Sequence, residues 1–318
     1  MRIIFVYAGH PDMGVIQAPY VITNKLFYFL KSKIEVQCYN WTDILDIDIK
    51  SDDIILGHPH YDKNTIVQKA FQKQCRAKCL IHPLHTHRVN DNFPFDPLVQ
   101  QADRVFAICG PYWYDTLTET PFAHWKPKIT RLDLAIDKDI YQYTKHTFNP
   151  PGARRLVYIG SSTPNKNLGY LTRIMTAMPD VTLHWYGGDS NHPLAKLPNV
   201  NTTGWVILDT LMAKNICHWC DIMVSVSDSD ANPTTLLETK AWGLMAACTK
   251  ESGYYNDSMF TELYLDDFPR TIQALRNLLN EPNENLEAKS RSDRKIIEDK
   301  YNWNRFCDTI WNELQKFM

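Results

Sequence analysis

The residues best suited to chemistry lie in the segment SVSDSDANPTTLLETKAWGL, residues 225–244. A strand pattern ends near Ser227, a polar loop follows, and a helix begins near Pro233. Proline in the first helical turn, followed by Thr234, Thr235 and Leu236, leaves backbone N–H groups free at a helix N-terminus. That end carries partial positive charge and cradles phosphate. Asp230 sits in the loop before the helix, and Glu238 about one and a half turns inside it. Two carboxylates flanking a phosphate site suit a ligand with phosphates in the middle and hydroxyl-rich sugars on both sides. The plainer alternative is a helix cap with a surface glutamate. Asp228-Ser229-Asp230 also has the form of a divalent-ion clamp, but a phosphate-cradling helix makes an ion redundant, so no metal is expected there.

Two further clusters carry metal-ligand residue types. KCLIHPLHTHRV (78–89) holds His82, His85 and His87, and GHPHYD (57–62) adds His58, His60 and Asp62. Histidines two or three apart on a strand and its loop can meet at one ion, although HExxH and similar motifs are absent. A metal-dependent hydrolase built on His82, His85 and His87 is therefore one alternative function. CHWC at 217–220 has zinc-knuckle or redox spacing, but no second CxxC follows. Its two cysteines, three apart on a helix, read as a packed face. The remaining cysteines are scattered and read as reduced thiols.

Short apolar runs alternate with helical patterns along the chain, the signature of parallel βα units. Strands are expected over 2–8, 34–40, 53–58, 78–83 and 104–110, and then over 156–160, 181–187, 199–205 and 221–227. Between the third and fourth, residues 63–78 show helical periodicity. Their basic residues Lys63, Lys69, Lys73 and Arg76 read as a solvated face, with contact to an anionic lipid surface as the alternative. TKHTFNPPGARR (144–155), with its Pro-Pro-Gly, reads as a linker. The expected organisation is an N-terminal domain over 1–143, this linker, a C-terminal domain over 156–299, and an amphipathic helix over 300–318 packing back on the N-terminal domain. Each domain is an α/β, doubly wound, Rossmann-like sheet, and a ligand is expected in the cleft that they face.

Composition limits the partners. Lys plus Arg number 34 and Asp plus Glu 36, a formal charge of −2, and phosphate tracking along nucleic acid needs a basic excess. With 44% hydrophobic and 22% charged residues the chain can bury a substantial core. No apolar run approaches the roughly 18 residues of a membrane span, and MRIIFVYAGHP reads as a first buried strand rather than a signal peptide. A cytoplasmic protein is expected, with a peripheral membrane contact as an option; the oligomeric state is open.

The 225–244 segment resembles the signature of retaining glycosyltransferases of family 4, which have the GT-B fold. Their Glu-x7-Glu, leading into LLEAMAxG and a following strand, is similar to Asp230-x7-Glu238, LLETKAWGL and AACTKESGYY. The resemblance implies that Glu238 bonds the donor ribose and that Asp230, one methylene shorter than the family's glutamate, contacts the transferred sugar. LVYIGSSTPNKNLGYL (156–171) is similar to the family's hhhhGRhxPxKGxxxL. Gly160, Pro164 and Lys166 match, while Ser161 replaces the arginine that shares the diphosphate with the lysine, leaving Lys166 to carry that charge alone or with a basic group from elsewhere. MPDVTLHWYGG (178–188), LPNVNTTGWV (197–206), KYNWNRFCDTIWNEL (300–314) and RLDLAIDKDIYQY (131–143) resemble further stretches of the family. In the last of these Asp137 and Tyr141 match, and Leu134-Ala135 replaces Asn-Gly. The glycine-bearing loop after strand one corresponds to AGHPDMG, so that Gly14 would approach the donor phosphate or the acceptor. A histidine facing the transferred sugar corresponds to His85, or else His82.

The resemblance thus implies transfer of a sugar from a nucleotide-diphosphate donor to a glycan or small-molecule acceptor hydroxyl, with retention. No cofactor or obligatory metal is implied. The replacements at Asp230 and Ser161 leave a catalytically silent sugar-nucleotide-binding protein as a further alternative.

Overall fold

A computed structural model describes residues 1–7, 18–40, 48–59, 66–82 and 93–318. The chain forms two compact units, one of Met1–Cys109, Tyr114–Asp133 and Trp303–Met318, the other of Gly110–Trp113 and Leu134–Asn302.

In the first unit, β1 (Ile3–Tyr7), β2 (Val36–Asn40), β3 (Ile54–Gly57), β4 (Ala77–His82), β5 (Arg104–Ile108) and β6 (Ile129–Leu132) form one parallel sheet in the order β2-β1-β3-β4-β5-β6. Ile3 to Val6, Ile54 to Leu56, Leu80 and Ile81 are fully buried, as in parallel strands covered on both faces. The C-terminal helix Trp303–Gln315 belongs to this unit and packs there beside the helix Ala18–Lys31. Its buried face is Phe306, Cys307, Ile310 and Leu314. The helix expected over 63–78 is shorter among the described residues, spanning Ile66–Ala70. The chain then turns because the Arg76 N–H donates to the Asp53 carbonyl at 2.8 Å, and Ala77 enters register with Ile54. Strand pairing overrides helical periodicity there.

In the second unit, β7 (Leu156–Ile159), β8 (Leu183–Tyr186), β9 (Val200–Thr203), β10 (Ile222–Ser225), β11 (Met245–Thr249) and β12 (Thr261–Leu263) form a parallel sheet in the order β12-β11-β10-β7-β8-β9. Its core includes Leu156, Val157, Leu183, Trp185, Ile222 and Val224.

The stretch 144–155, read above as a linker, runs inside this second unit. The buried Lys145 ammonium pairs with Asp221 at 2.8 Å and donates to the Cys217 carbonyl. Asp221 also accepts from the Asn149 backbone at 2.9 Å and from its side chain at 3.0 Å. The Arg154 guanidinium donates to the Leu279 carbonyl at 2.9 Å, near the C-terminal end of the helix Phe268–Asn280. Pro150-Pro151-Gly152 makes a surface turn between these anchors, with Gly152 at φ +86°. The paired charges are what allow so polar a segment to be packed.

In each sheet the chain order reverses once, between β1 and β3 in the first and between β7 and β10 in the second. Ligands of open α/β sheets sit beyond the strand ends at such reversals. Among the described residues no helix is long and apolar enough to cross a membrane.

Candidate functional site

At the reversal of the second sheet, β7 and β10 are neighbours, with Leu156 opposite Ile222. Two loops leave their carboxyl ends, Gly160–Asn167 and Val226–Pro233, and hydrogen bonds tie them together. Ser227 Oγ donates to the Asn165 carbonyl at 2.7 Å, and Asn165 Nδ2 donates to the Ser229 carbonyl at 3.3 Å. Lys166 and Asp230 thereby meet as a salt bridge, with about a quarter of the lysine side chain exposed. Residues far apart in sequence, matched above to the phosphate-binding lysine and the sugar-binding carboxylate, share one spot.

Lys166 ends a short 3-10 turn, Pro164–Lys166, and Asn167 then starts the helix Leu168–Ala177 from the left-handed region at φ 51°. Asparagine tolerates that conformation where a residue with an ordinary β-carbon is strained. Asn167→Ala should therefore cost about 1 kcal/mol and Asn167→Gly almost nothing, as read from urea denaturation midpoints. Gly160 lacks the β-carbon that would come within 2.7 Å of the Tyr158 hydroxyl, which donates to the Ser161 carbonyl at 3.2 Å. Ser161 itself is exposed and carries no charge.

The second loop is held from several sides. The Asp230 N–H donates to the Glu251 carbonyl at 3.0 Å, and Trp113 Nε1 donates to the Asp230 carbonyl at 2.8 Å. The Ala231 carbonyl accepts from the Gly110 N–H at 2.8 Å. Gly253, at φ +89°, passes so close that a β-carbon would lie 2.3 Å from the Ala231 oxygen. Thr249 Oγ1 donates to the Ser227 carbonyl at 2.6 Å, and the Tyr254 hydroxyl to the Pro233 carbonyl at 3.0 Å. A loop fixed this way needs little reorganisation to bind a ligand.

The helix spans Thr234–Trp242 and starts from Pro233 at φ −64°, with no side chain capping its first turn. Proline stands just before the helix rather than in its first turn. The uncapped end leaves the N–H groups of Thr234, Thr235 and Leu236 for a ligand.

Glu238 is not the surface residue of the plainer alternative. It is 8% exposed, and burial pushes its carboxyl up to about 7, opposed by hydrogen bonds with the Tyr141 hydroxyl and the Thr234 side chain. Burial and the nearby Glu238 carboxylate push the Tyr141 hydroxyl up in turn. Two residues on, the buried Lys240 pairs with Asp293 of the helix Asn283–Lys300. Burial nonetheless lowers its ammonium to about 8.

His82 ends β4, but its side chain, like Gly14, His60, Asp62, His85 and His87, lies outside the described residues. The His58 ring packs edge-on against Tyr7, centroids 4.7 Å apart. Among the described residues no three His, Cys, Asp or Glu side chains gather as a metal would require. Cys217 and Cys220 are buried, and burial pushes both thiols up to about 12, which disfavours the thiolate that metal or redox chemistry needs. Sequence reasoning missed the supports Gly110, Trp113 and Glu251–Gly253. Their only signals were glycines beside aromatic and polar residues after strands, and these look like ordinary turns.

No protein-family model and no curated protein sequence matches the chain. Solved structures match it over nearly its whole length. Sucrose-phosphate synthase from Thermosynechococcus elongatus superposes with a TM-score of 0.72 at 11% identity, over 99% of this chain and 98% of that one. A glycosyltransferase from Rickettsia africae gives 0.68 at 11%, over 99% and 98%. Anabaena HepE, solved with UDP and glucose, gives 0.63 at 13%, over 99% and 100%. With two parallel sheets, each reversing once, the likeness identifies the chain's architecture as the GT-B fold, a pair of Rossmann-like domains.

Proposed function

We propose that this chain is a retaining glycosyltransferase, moving a sugar from a nucleotide-diphosphate donor to an acceptor hydroxyl without an obligatory metal ion. The observation that carries the reading is the reversal point of the second sheet. It puts Lys166, Asp230 and an uncapped helix start side by side, the charge pattern that a sugar diphosphate requires. The fold is shared with HepE, which was solved with UDP and glucose.

Breaking the bond between sugar and diphosphate develops negative charge on the leaving phosphate. Fixed donors stabilise such charge best where they need not reorganise, and the amides of Thr234 to Leu236 together with the Lys166 ammonium are such donors. Without a ligand, Asp230 holds Lys166. An arriving diphosphate competes for the ammonium, leaving the Asp230 carboxylate to accept from the hydroxyls of the transferred sugar. Glu238, next to the phosphate-binding turn, takes the ribose diol. Gly14 and His85, or His82, enter through the family resemblance, as contacts to the donor phosphate or acceptor and to the transferred sugar.

The test is incubation of the chain with nucleotide sugars and a panel of glycan and small-molecule acceptors in the presence of a chelator. Nucleoside diphosphate should be released, with the donor's anomeric configuration kept in the product by proton NMR. An inverted product would overturn the retaining mechanism, and activity recovered only with added manganese would overturn the metal-free one. Donor binding without any turnover would leave a sugar-nucleotide-binding protein.

A further inference from the structure

Alternate residues of β8 face opposite sides of the second sheet. Leu183 and Trp185 point into the core and are fully buried. On the other side His184 and Tyr186 line an open groove, together with Arg155, Asn201 of β9, and Asn215 and Trp219 of the helix Thr210–Trp219. The groove holds about 430 Å³, within the range of small-molecule sites. Tyr186 is 6% exposed, yet its hydroxyl makes no hydrogen bond among the described residues. The Arg155 guanidinium makes no ion pair or hydrogen bond among them either, and lies over the Trp219 ring, 5.0 Å from its centroid. The partial negative charge at the end of that helix is met elsewhere. The buried Lys145 ammonium donates to the Cys217 carbonyl at 2.9 Å, and the Cys220 N–H to the Ile216 carbonyl at 2.8 Å. Burial and the Arg155 charge push the His184 ring below its ordinary value, so guanidinium and imidazole sense one another across the groove.

Among the described residues no Asp or Glu lines the groove. A guanidinium without a carboxylate partner suits an oxyanion, which its planar fork grips with two hydrogen bonds. The Asn201 and Asn215 amides and the Thr182 and Tyr186 hydroxyls of the same groove both donate and accept, as a ring of neighbouring hydroxyls requires. Trp219, 45% exposed, offers an apolar face for ring carbons. The guanidinium repels a metal cation, and the polar side chains disfavour a purely apolar ligand. We propose that this groove binds an anionic sugar, a hydroxyl-bearing ring with one phosphate or carboxylate group, held by Arg155, Asn201, Asn215, Tyr186 and Trp219. It is separate from the site at Lys166 and Asp230. Arg155 and Thr182 precede β7 and β8, whereas the Lys166 loop leaves the far end of β7, a strand of four residues and so about 13 Å long. The groove takes a ligand of its own, whatever the Lys166 site binds.

Calorimetric titration of the whole chain with glucose 6-phosphate, glucuronate, inorganic phosphate and glucose tests this, alongside thermal unfolding. The wild type should bind glucose 6-phosphate or glucuronate one-to-one, at least about tenfold more tightly than glucose or inorganic phosphate. Which of the two it binds tells a phosphate from a carboxylate. Asn215 is exposed, so Asn215→Asp sets a negative charge beside the ligand without disturbing the core. Asn215→Asp and Arg155→Met should each weaken binding at least about tenfold, and Lys166→Ala should leave it unchanged. If Arg155→Met unfolds at the titration temperature, Asn215→Asp decides alone. The His184 ring resonances, assigned by their loss in His184→Gln, should shift as the anionic sugar is added. The proposal is overturned if neither anionic sugar binds, or if glucose or inorganic phosphate binds as tightly. Binding lost in Lys166→Ala but kept in Asn215→Asp, or binding that leaves the His184 resonances in place, would overturn it equally.

Discussion

Lys166→Ala should lower turnover of a nucleotide sugar by about two to three orders of magnitude while the chain remains folded. Removing one preorganised donor from a developing anion has effects of about that size. Ser161 stands at the one other position of this loop where the resembling family places a charge, so no neighbour in the loop compensates. The effect should appear in kcat, since the charge on the leaving phosphate is greatest in the transition state. Binding of the uncharged nucleoside should be unaffected. Removing Lys166 leaves the Asp230 carboxylate, 14% exposed, without its partner, so the unfolding midpoint should fall modestly while the chain stays folded. Turnover within threefold of wild type would mean that another basic group neutralises the phosphate.

Glu238 should show the second large effect, in both binding and pH-dependent stability. Its carboxyl ionises near 4.5 when exposed and near 7 in the folded chain, because burial disfavours the anion. The folded state therefore holds a proton that the unfolded state has lost between those values. Stability should fall as pH rises through that window and level off above it, by about 3 kcal/mol in total. Glu238→Gln keeps an oxygen acceptor for Tyr141 and Thr234 but cannot ionise. Relative to wild type it should gain stability by about that amount between pH 4.5 and pH 7.5, as followed by urea denaturation at each pH. Glu238→Ala should also weaken nucleotide affinity at least about tenfold, the loss expected of a charged hydrogen bond. A stability difference between the Glu238→Gln variant and the wild type that does not change with pH would mean that Glu238 is not buried as described.

The fold was legible in the sequence, and so were the two motifs whose loops meet at the candidate site, for different reasons. Parallel strands covered on both faces are runs such as IIFV and IMVS, and those runs stand out. β12, only Thr261–Leu263, is too short to show periodicity, and β6 hides in a stretch broken by Arg131 and Asp133. The meeting of Lys166 with Asp230 followed from two motifs in sequence order, because a chain reversal in the sheet makes their loops neighbours. What could not be read was the support around them. Gly253 is required by the nearness of Ala231, and Trp113 by the Asp230 carbonyl, and neither partner is close in sequence. The 144–155 segment misled for a related reason: Pro-Pro-Gly marks a turn, while the Lys145 and Asp221 pair that packs it joins residues on separate elements.

The most direct test of the central claim, that the second unit holds a nucleotide-sugar donor by its diphosphate, is calorimetric titration of nucleoside diphosphates in EDTA. UDP, GDP and ADP would each be titrated against the wild-type chain and against Lys166→Ala and Glu238→Ala. The wild type should bind at least one of them one-to-one without metal, with affinity weakened at least about tenfold in Glu238→Ala and also weakened in Lys166→Ala. Absence of binding by all three, or binding that neither substitution changes, would contradict it.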